Sequence, residues 1–521
     1  MEEQPKTTDH RTRPTSAAFK QFIAQGWAPR PDTVPDRAEV APYAAARREA
    51  VSKAYPGERL VLPAGGLKVR SNDTDYAFRP HSAFSHLTGL GADREPDSVL
   101  VLEPLEGGGH EAVLYFRPRA GRDTQEFYAD ARYGELWVGV RPSLEEIEAE
   151  LGITARHLDE LSEAVGKDVG TIQVRVLRDA DPAVTARVDE VRAQSRTGTA
   201  DEQSRDQAEQ DQAEQDRTEQ DRTAQDQTEA DVAADEELAT TLSELRLTKD
   251  EWEVEQLRQA CAATAEGFEA IVRGLRDAVA KGRGERWVEG QFGLVARHAG
   301  NGVGYETIAA AGDHACTLHW IRNDGEVRDG DLLLVDAGVE VESLYTADVT
   351  RTMPVNGRFS EVQRRVYQAV LDAQEAGMAA VRPGNRFKDV HDAAIRVIAE
   401  RLGDWGLLPV DVETSLGEDG GHHRRWMVHG TSHHLGIDVH DCAQARREQY
   451  LEAELRPGMV LTVEPGLYFK ADDHSLPEEL RGIGVRIEDD VLVTEDGYEN
   501  LSVALPRTPD AVEAWMQPLL G

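Results

Sequence analysis

Cysteine is almost missing from this chain. The three present, Cys261, Cys316 and Cys442, lie far apart and are odd in number. Neither a disulfide framework nor a paired-cysteine metal knuckle can be built from them, so a reducing compartment is expected. Positive charge is scarce as well, and the formal net charge is −38. Phosphate binding needs clustered Lys and Arg, which excludes nucleic acid as an expected partner. Self-repulsion of this size suits a dispersed protein. No apolar run approaches the ~20 residues of a membrane span. The opening MEEQPKTTDHRTRP offers no apolar signal core. A cytoplasmic protein without a membrane partner is the expectation.

What remains is enough to fold. At 521 residues with 40% hydrophobic content, the chain needs two domains or more. Residues 1–40 read as an arm with one short helix around Ala17 to Gln25. A helix, AAARREAVSKAY, and strand candidates ERLVLPAG, DSVLVLEP, EAVLYFRP and TQEFYAD follow. Ser143 and Glu146 have capping-box spacing for the helix LEEIEAELG. A further helix near Arg156 to Val165 precedes the strand TIQVRVL. Residues 41–196 therefore read as one α/β domain. Within it SNDTDYAFRPHSAFSHLTGL has no period and reads as a structured loop at a domain or subunit contact.

From 197 to 240 the character changes. Asp206, Asp211, Asp216, Asp221, Asp226 and Asp231 recur at intervals of five, which fits neither a helix face nor a strand face. Almost nothing apolar accompanies them, so no core offsets the entropy of ordering. The stretch reads as a solvated acidic low-complexity linker, disordered or fraying-helical.

Beyond it lies an α+β domain, residues 241–515, expected to be a sheet with helices on one side. Thr248 and Glu251 have capping-box spacing before a long helix. The organising stretch is DLLLVDAGVEVESLYTADVTR, from Asp331 to Arg351. Its apolar run ends in Asp336, and a second extended run brings in Asp348. Two carboxylates aimed into one space repel unless a cation sits between them. Glu464 follows the run MVLTV, and Glu488 sits in the alternating GVRIEDDVLV with Arg486 two residues earlier. One acid at a strand end is usually only a terminus; four of them beside a histidine-rich loop are harder to dismiss. That loop, HGTSHHLGIDVH, holds His429, His433, His434 and His440.

His429 and His433 have a zinc-like spacing, but no HExxH is present and carboxylates outnumber histidines. One imidazole with four carboxylates is a hard, oxygen-rich set suited to two Mn²⁺-like divalent ions. Such a pair, bridged by hydroxide, is a catalyst for hydrolysis of an amide or ester.

DAG…ADVTRTMPVNGRF, HGTSHHLGIDVHD, TVEPGLYF and GVRIEDD resemble the aminopeptidase P and prolidase branch of the pita-bread metallopeptidases. The resemblance implies a pita-bread catalytic domain behind a smaller amino-terminal α/β domain. It implies Asp336, Asp348, His433, Glu464 and Glu488 as metal ligands, with Asp348 and Glu488 bridging. Glu464 would also move the proton. His319 and His440 would contact substrate and intermediate, His429 would line the proline-side pocket, and Arg486 would stand beside the bridging glutamate. The implied substrates are peptides beginning Xaa-Pro, and the implied assembly is a homo-oligomer, dimer or tetramer. An Xaa-Pro bond has no amide N–H, so a dedicated pocket makes physical sense.

One departure stands out: Asp348 follows Asp336 by twelve positions, where the family usually has eleven. The extra residue must be absorbed in a turn or a bulge, and ESLYT is the expected place. His434 stands where an aromatic is common and reads as a packing or pocket-wall histidine rather than a sixth ligand. A prolidase confined to dipeptides, a methionine aminopeptidase, a metal-free creatinase-like enzyme and a non-enzymatic binding module on the same fold are the alternatives.

Overall fold

The computed structural model describes residues 16–31, 33–200 and 210–520, without side-chain placements at 197–224. Asp206 and the side chains of Asp211, Asp216 and Asp221 thus lie outside the described residues. The chain divides into two compact units, Met1–Ala239 and Thr240–Gly521.

The first unit is built on a five-stranded mixed sheet. Its order is Thr154–His157, His110–Phe116, Val99–Pro104, Arg59–Pro63 and Val174–Val176. The three inner strands are antiparallel, and each outer strand joins parallel to its neighbour. Ser143 caps the Leu144–Leu151 helix: its hydroxyl accepts from the Glu146 amide, and the Glu146 carboxylate accepts from the Ser143 amide.

Three expectations for this unit need correcting. TQEFYAD forms a helix, Gln125–Ala129, not a strand. Phe127, Tyr128 and Ala129 are buried consecutively, without strand alternation, and pack edge-on against Trp27 and Phe19. The segment near Arg156 contributes the edge strand Thr154–His157, and helix begins only at Leu161. The supposed loop around Phe84 contains the Ser82–Thr88 helix, all seven residues of which are buried, closed by Gly89 at φ 84°. Burial on every side erases the amphipathic period from the sequence.

The linker reading also reaches too far. Residues Gln210–Leu245 form one helix. Asp235 on it is fully buried and accepts from Arg178, from Arg192 and from the Val176 amide at 2.8–3.0 Å. Asp231 pairs with Arg196 at 2.7 Å. The last turns before residue 240 are therefore core structure.

In the second unit, Leu332–Ala337 is the central strand between Ile308–Ala311 and Val349–Pro354, all antiparallel. Leu332 and Leu334 pack with residues of the Glu361–Ala380 and Phe387–Asp404 helices. Leu333 and Val335 pack with those of the Glu251–Arg273 and Gly284–Ala299 helices. Helices thus cover both faces rather than one. This explains why the strand reads as a continuous apolar run instead of an alternating one. The helix start is also displaced: Asp250, not Thr248, caps it, in a reciprocal box with Glu253. A closing helix, Pro509–Leu520, follows where only loops and strands were expected; its Val512 and Met516 join the second core.

The hairpin after Leu332 keeps one register. Asp336 pairs with Thr350, Glu340 bridges Thr346, and the Val341 amide donates to the Tyr345 carbonyl. Residues 342–344 close the turn, with Leu344 at φ 75°. That is a three-residue loop ending in a left-handed residue. The extra residue therefore sits in the turn, within ESLYT. With no bulge in the strands, Asp348, two places before the partner of Asp336, stays on the same face as Asp336.

Candidate active site

Both aspartates end up against one phenol. The Tyr305 hydroxyl lies 2.7 Å from Asp336 Oδ1 and 2.5 Å from Asp348 Oδ1. Gly338, of the DAG triplet, allows this close packing: a Cβ there would meet the Ala347 carbonyl oxygen at 1.6 Å and the Tyr305 ring at 3.2 Å. The Asp348 amide donates to the buried Asp490 carboxylate at 3.0 Å, which fixes the backbone behind it.

Glu488 enters from between the Ile483–Arg486 and Asp489–Val493 strands. Its Oε2 accepts from the Thr350 hydroxyl at 2.6 Å, and its amide donates to the Thr350 carbonyl at 3.1 Å. Arg486 Nε donates to the same hydroxyl, and its Nη2 donates to Asp336 Oδ2 at 2.5 Å. Behind them Arg351, fully buried, pairs with Asp489 at 2.7 Å and donates to the Glu488 carbonyl at 2.6 Å. One arginine in front and one behind hold this strand junction in place.

His433 and Glu464 come from the loop and strand opposite. Their backbones are tied together: the Thr462 amide donates to the His433 carbonyl, and the Glu464 amide to the Thr431 carbonyl, both at 2.9 Å. His433 Nδ1 lies 3.2 Å from the His434 carbonyl oxygen, so the proton of the neutral ring belongs there. Nε2 is then a free lone pair, 3.3 Å from Asp348 Oδ2 and 3.8 Å from Glu464 Oε1. Donor atoms of Asp348, His433 and Glu488 all lie within 4.8 Å of one another. Asp336 joins this trio through Tyr305, and Glu464 through His433.

The electrostatics of this cluster are costly without a cation. Burial, and then repulsion by Asp348, push the Asp336 carboxyl up despite Arg486. Burial and the surrounding carboxylates raise Glu488 strongly, and Glu464 is raised to about 7, chiefly by burial. His433 is raised too, against its own burial, up to about 9, because Asp348 and Glu464 face it. Acids held protonated and an imidazole held charged are the response of a crowded anionic site. Divalent cations would satisfy the same donors directly, so the residues fit the metal pair their chemistry suggests.

The remaining histidines divide by environment. His429 Nε2 lies 2.7 Å from the Tyr468 hydroxyl and Nδ1 2.6 Å from the Gly430 carbonyl oxygen. Burial, then the nearby Arg486 charge, lowers its pKa to about 3, so it is a neutral wall. The Tyr468 hydroxyl also accepts from Arg486 Nη1 at 3.1 Å. With both ring nitrogens engaged, His429 does not complete a zinc pair with His433. The exposed His440 stands edge-on to His433 at 4.5 Å between ring centres. His319 is exposed too, and near enough for its charge to lower both His429 and His440. His434 is buried, stacked on Phe387 and edge-on to Tyr450, with burial lowering its pKa to about 3. It packs and does not ligate.

Sequence reasoning missed Tyr305, Thr350, Tyr468 and Asp490. Thr350 and Tyr468 stood inside the motifs ADVTR and TVEPGLYF, where only the acids drew attention. Tyr305 follows Gly302 and Gly304 in an aperiodic segment, and nothing local marked it.

The pattern of metallopeptidase family M24 matches residues 255–495, and that of the aminopeptidase P N-terminal domain matches residues 43–175. The Xaa-Pro aminopeptidase 1 of Streptomyces coelicolor is 52% identical over 478 residues, spanning 92% of this chain and 87% of that protein. Xaa-Pro aminopeptidase 2 of the same species is 49% identical over 508 residues, 97% of each chain. Among solved structures, Pseudomonas aeruginosa aminopeptidase PepP superposes with a TM-score of 0.75 at 30% identity, covering 93% of this chain and 99% of that one. Zinc-substituted Escherichia coli aminopeptidase P in complex with product gives 0.76 at 30% identity, over 92% and 99%.

Proposed function

The chain belongs to the Xaa-Pro aminopeptidases of metallopeptidase family M24, and from that premise we propose how its own residues carry the reaction. The enzyme is a metalloaminopeptidase that releases the amino-terminal residue from peptides with proline in second place. The observation that supports the assignment of residues is the approach of Asp348, Glu464 and Glu488 to His433, with Asp336 held beside Asp348 through Tyr305.

Those five residues would hold the divalent ions. Four carboxylates and one imidazole favour Mn²⁺. When bound, the ions supply Lewis acidity and a water acidified towards neutrality. Glu464 takes the proton of the attacking water on an Oε and returns it to the departing proline nitrogen. That nitrogen cannot leave as an anion, so the returned proton is required. His319 and His440, exposed at the mouth, orient the scissile carbonyl and stabilise its developing negative charge. His429, kept neutral between Tyr468 and the Gly430 carbonyl, presents an uncharged wall to the proline ring. Arg486 holds Asp336 in place and balances part of the site's charge.

The same reading includes a cytoplasmic, homo-oligomeric enzyme acting through catalytic residues 241–515, preceded by an arm 1–40, a domain 41–196 and an acidic stretch from 197 whose last turns before 240 belong to the first unit's core. Cys261, Cys316 and Cys442 are all unpaired and buried, which suits a reducing compartment. Leu136, Trp137, Val138 and Val140 are each about half exposed or more, an apolar strip of the kind subunit contacts cover.

The test is hydrolysis of Xaa-Pro-Yaa and Xaa-Pro by metal-stripped enzyme, then with Mn²⁺, Co²⁺ or Zn²⁺ restored. Activity on the tripeptide returning best with Mn²⁺ is expected. Turnover confined to the dipeptide would make the enzyme a prolidase, and full activity without metal would end the assignment.

A further inference from the structure

The His319 ring, like that of His440, shows no hydrogen bond among the described residues. Its place is therefore set by the backbone that carries it. That backbone, residues 311–325, is a loop with a short 3₁₀ turn, Gly312–Cys316, and no strand ladder beyond it. Loops of this kind drift unless something inside them is tied down.

Asn323 anchors one part of this one, bonding the Ala309 amide and the Thr307 carbonyl, and Asp313 another, accepting from the Ala471 amide; the residues on either side of His319 are gathered by one carboxylate. Glu285, in the first turn of the Gly284–Ala299 helix, is completely buried. Its Oε1 accepts from the Ala311 amide at 2.9 Å and lies 2.7 Å from His314 Nδ1. Its Oε2 accepts from the Trp320 indole N–H at 2.9 Å and from the Gly325 amide at 2.6 Å. The four partners include both ends of the loop, residues 311 and 325, and the residue that directly follows His319. The His314 ring stacks on Trp320 at 3.9 Å between ring centres. Gly325 has no room for a side chain: a Cβ would come within 2.7 Å of Glu285 Oε2 and 2.6 Å of the His314 ring. A buried carboxylate without a cation ligand is expensive unless every lone pair is used, and here four donors use them. None of the four belongs to the metal cluster.

We infer that Glu285 is a positioning residue for the reaction, holding the His319 loop so that the imidazole reaches the scissile carbonyl. The inference rests on the role proposed for His319. Glu285→Gln replaces one oxygen by an NH₂ group, which meets the Trp320 and Gly325 N–H donors on one side or the Ala311 N–H on the other, so at least one bond is lost whichever way the amide turns. Trp320→Phe removes one donor and keeps the ring.

The experiment is a double-mutant cycle on an Xaa-Pro-Yaa tripeptide with fully metal-loaded enzyme. The variants are E285Q, W320F, H319A and the two doubles. Each single variant at Glu285 or Trp320 should lower kcat, E285Q by roughly 10–100-fold, because a misplaced group costs rate without costing ground-state binding. KM and the bound-metal stoichiometry should stay within about twofold of wild type. In the H319A background, adding E285Q or W320F should cost little more, within about twofold. Losses that multiply in the doubles would overturn the inference, as would wild-type kcat in W320F and E285Q. If E285Q does not fold, W320F with its double carries the same test. A fully active H319A would instead remove the role of His319 itself, and the inference with it.

Discussion

Tyr305 is where the chemistry of single residues is densest. One phenol touches two of the proposed ligands, and burial with the surrounding carboxylates raises its own pKa far above the usual range. It therefore stays a neutral donor. A donor fixed on two carboxylates selects which lone pairs remain for a cation, the usual work of groups just behind a metal. Tyr305→Phe removes that selection and leaves the packing. Metal retention, measured by competition with a chelator, should weaken on the order of 10–100-fold, with most activity returning at saturating metal. Asp348→Asn is the harsher change. It keeps the shape but removes a charge from a proposed bridging position, so turnover of Xaa-Pro-Yaa should vanish and metal content should fall. Wild-type turnover in that variant would show that Asp348 is not a ligand.

At the scale of elements, the strands and the acids at their ends were the legible part. Leu332–Ala337 announced itself because helices cover both its faces, leaving no polar position until Asp336. The hairpin's length was visible, and the place of its extra residue followed from side-chain alternation. What could not be read was anything fixed by packing from all sides. The Ser82–Thr88 helix shows no amphipathic period, and Asp235 looks like any other acid of a charged run until Arg178 and Arg192 are seen around it. Asp235→Ala tests that hidden role. It would take from Arg178 and from the buried Arg192 their one fully buried partner, leaving both to share Asp189, and leave the Val176 amide without its acceptor. Breaking a buried pair by removing one partner typically costs about 3–5 kcal/mol. Chemical unfolding should show a loss of that order, with metal binding in the second unit unchanged. A loss below about 1 kcal/mol, ordinary for exposed ion pairs, would return this stretch to the solvated linker it resembles in sequence.

For the whole molecule, the fold stores anionic repulsion that only cations relieve, and this sets the sign of its pH dependence. Glu464 is held near 7, against about 4.3 for an unfolded glutamate. Between those values the unfolded chain has lost its proton and the folded one must still lose it, so metal-free stability falls as pH rises. Asp336 and Glu488, also raised, act in the same direction. His433, raised to about 9, contributes stability that is fully present below about 6.5 and is lost as pH climbs towards 9. Asp441 behaves oppositely: although burial opposes it, Lys249 and Arg246 hold it down to about 2, so it is ionised throughout this range. Glu95 in the first unit, raised to about 7 chiefly by burial, adds a slope unrelated to metal. The informative quantity is therefore the difference between loaded and stripped enzyme, in which Glu95 cancels. Metal binding needs ionised carboxylates and a neutral His433, so it releases protons and tightens with pH. The Tm of stripped enzyme should fall steadily from pH 5 to pH 8, and the gain on adding metal should widen over the same interval. A stripped enzyme whose Tm is flat or rising there, with a pH-independent gain on loading, would mean that these carboxylates do not share one site.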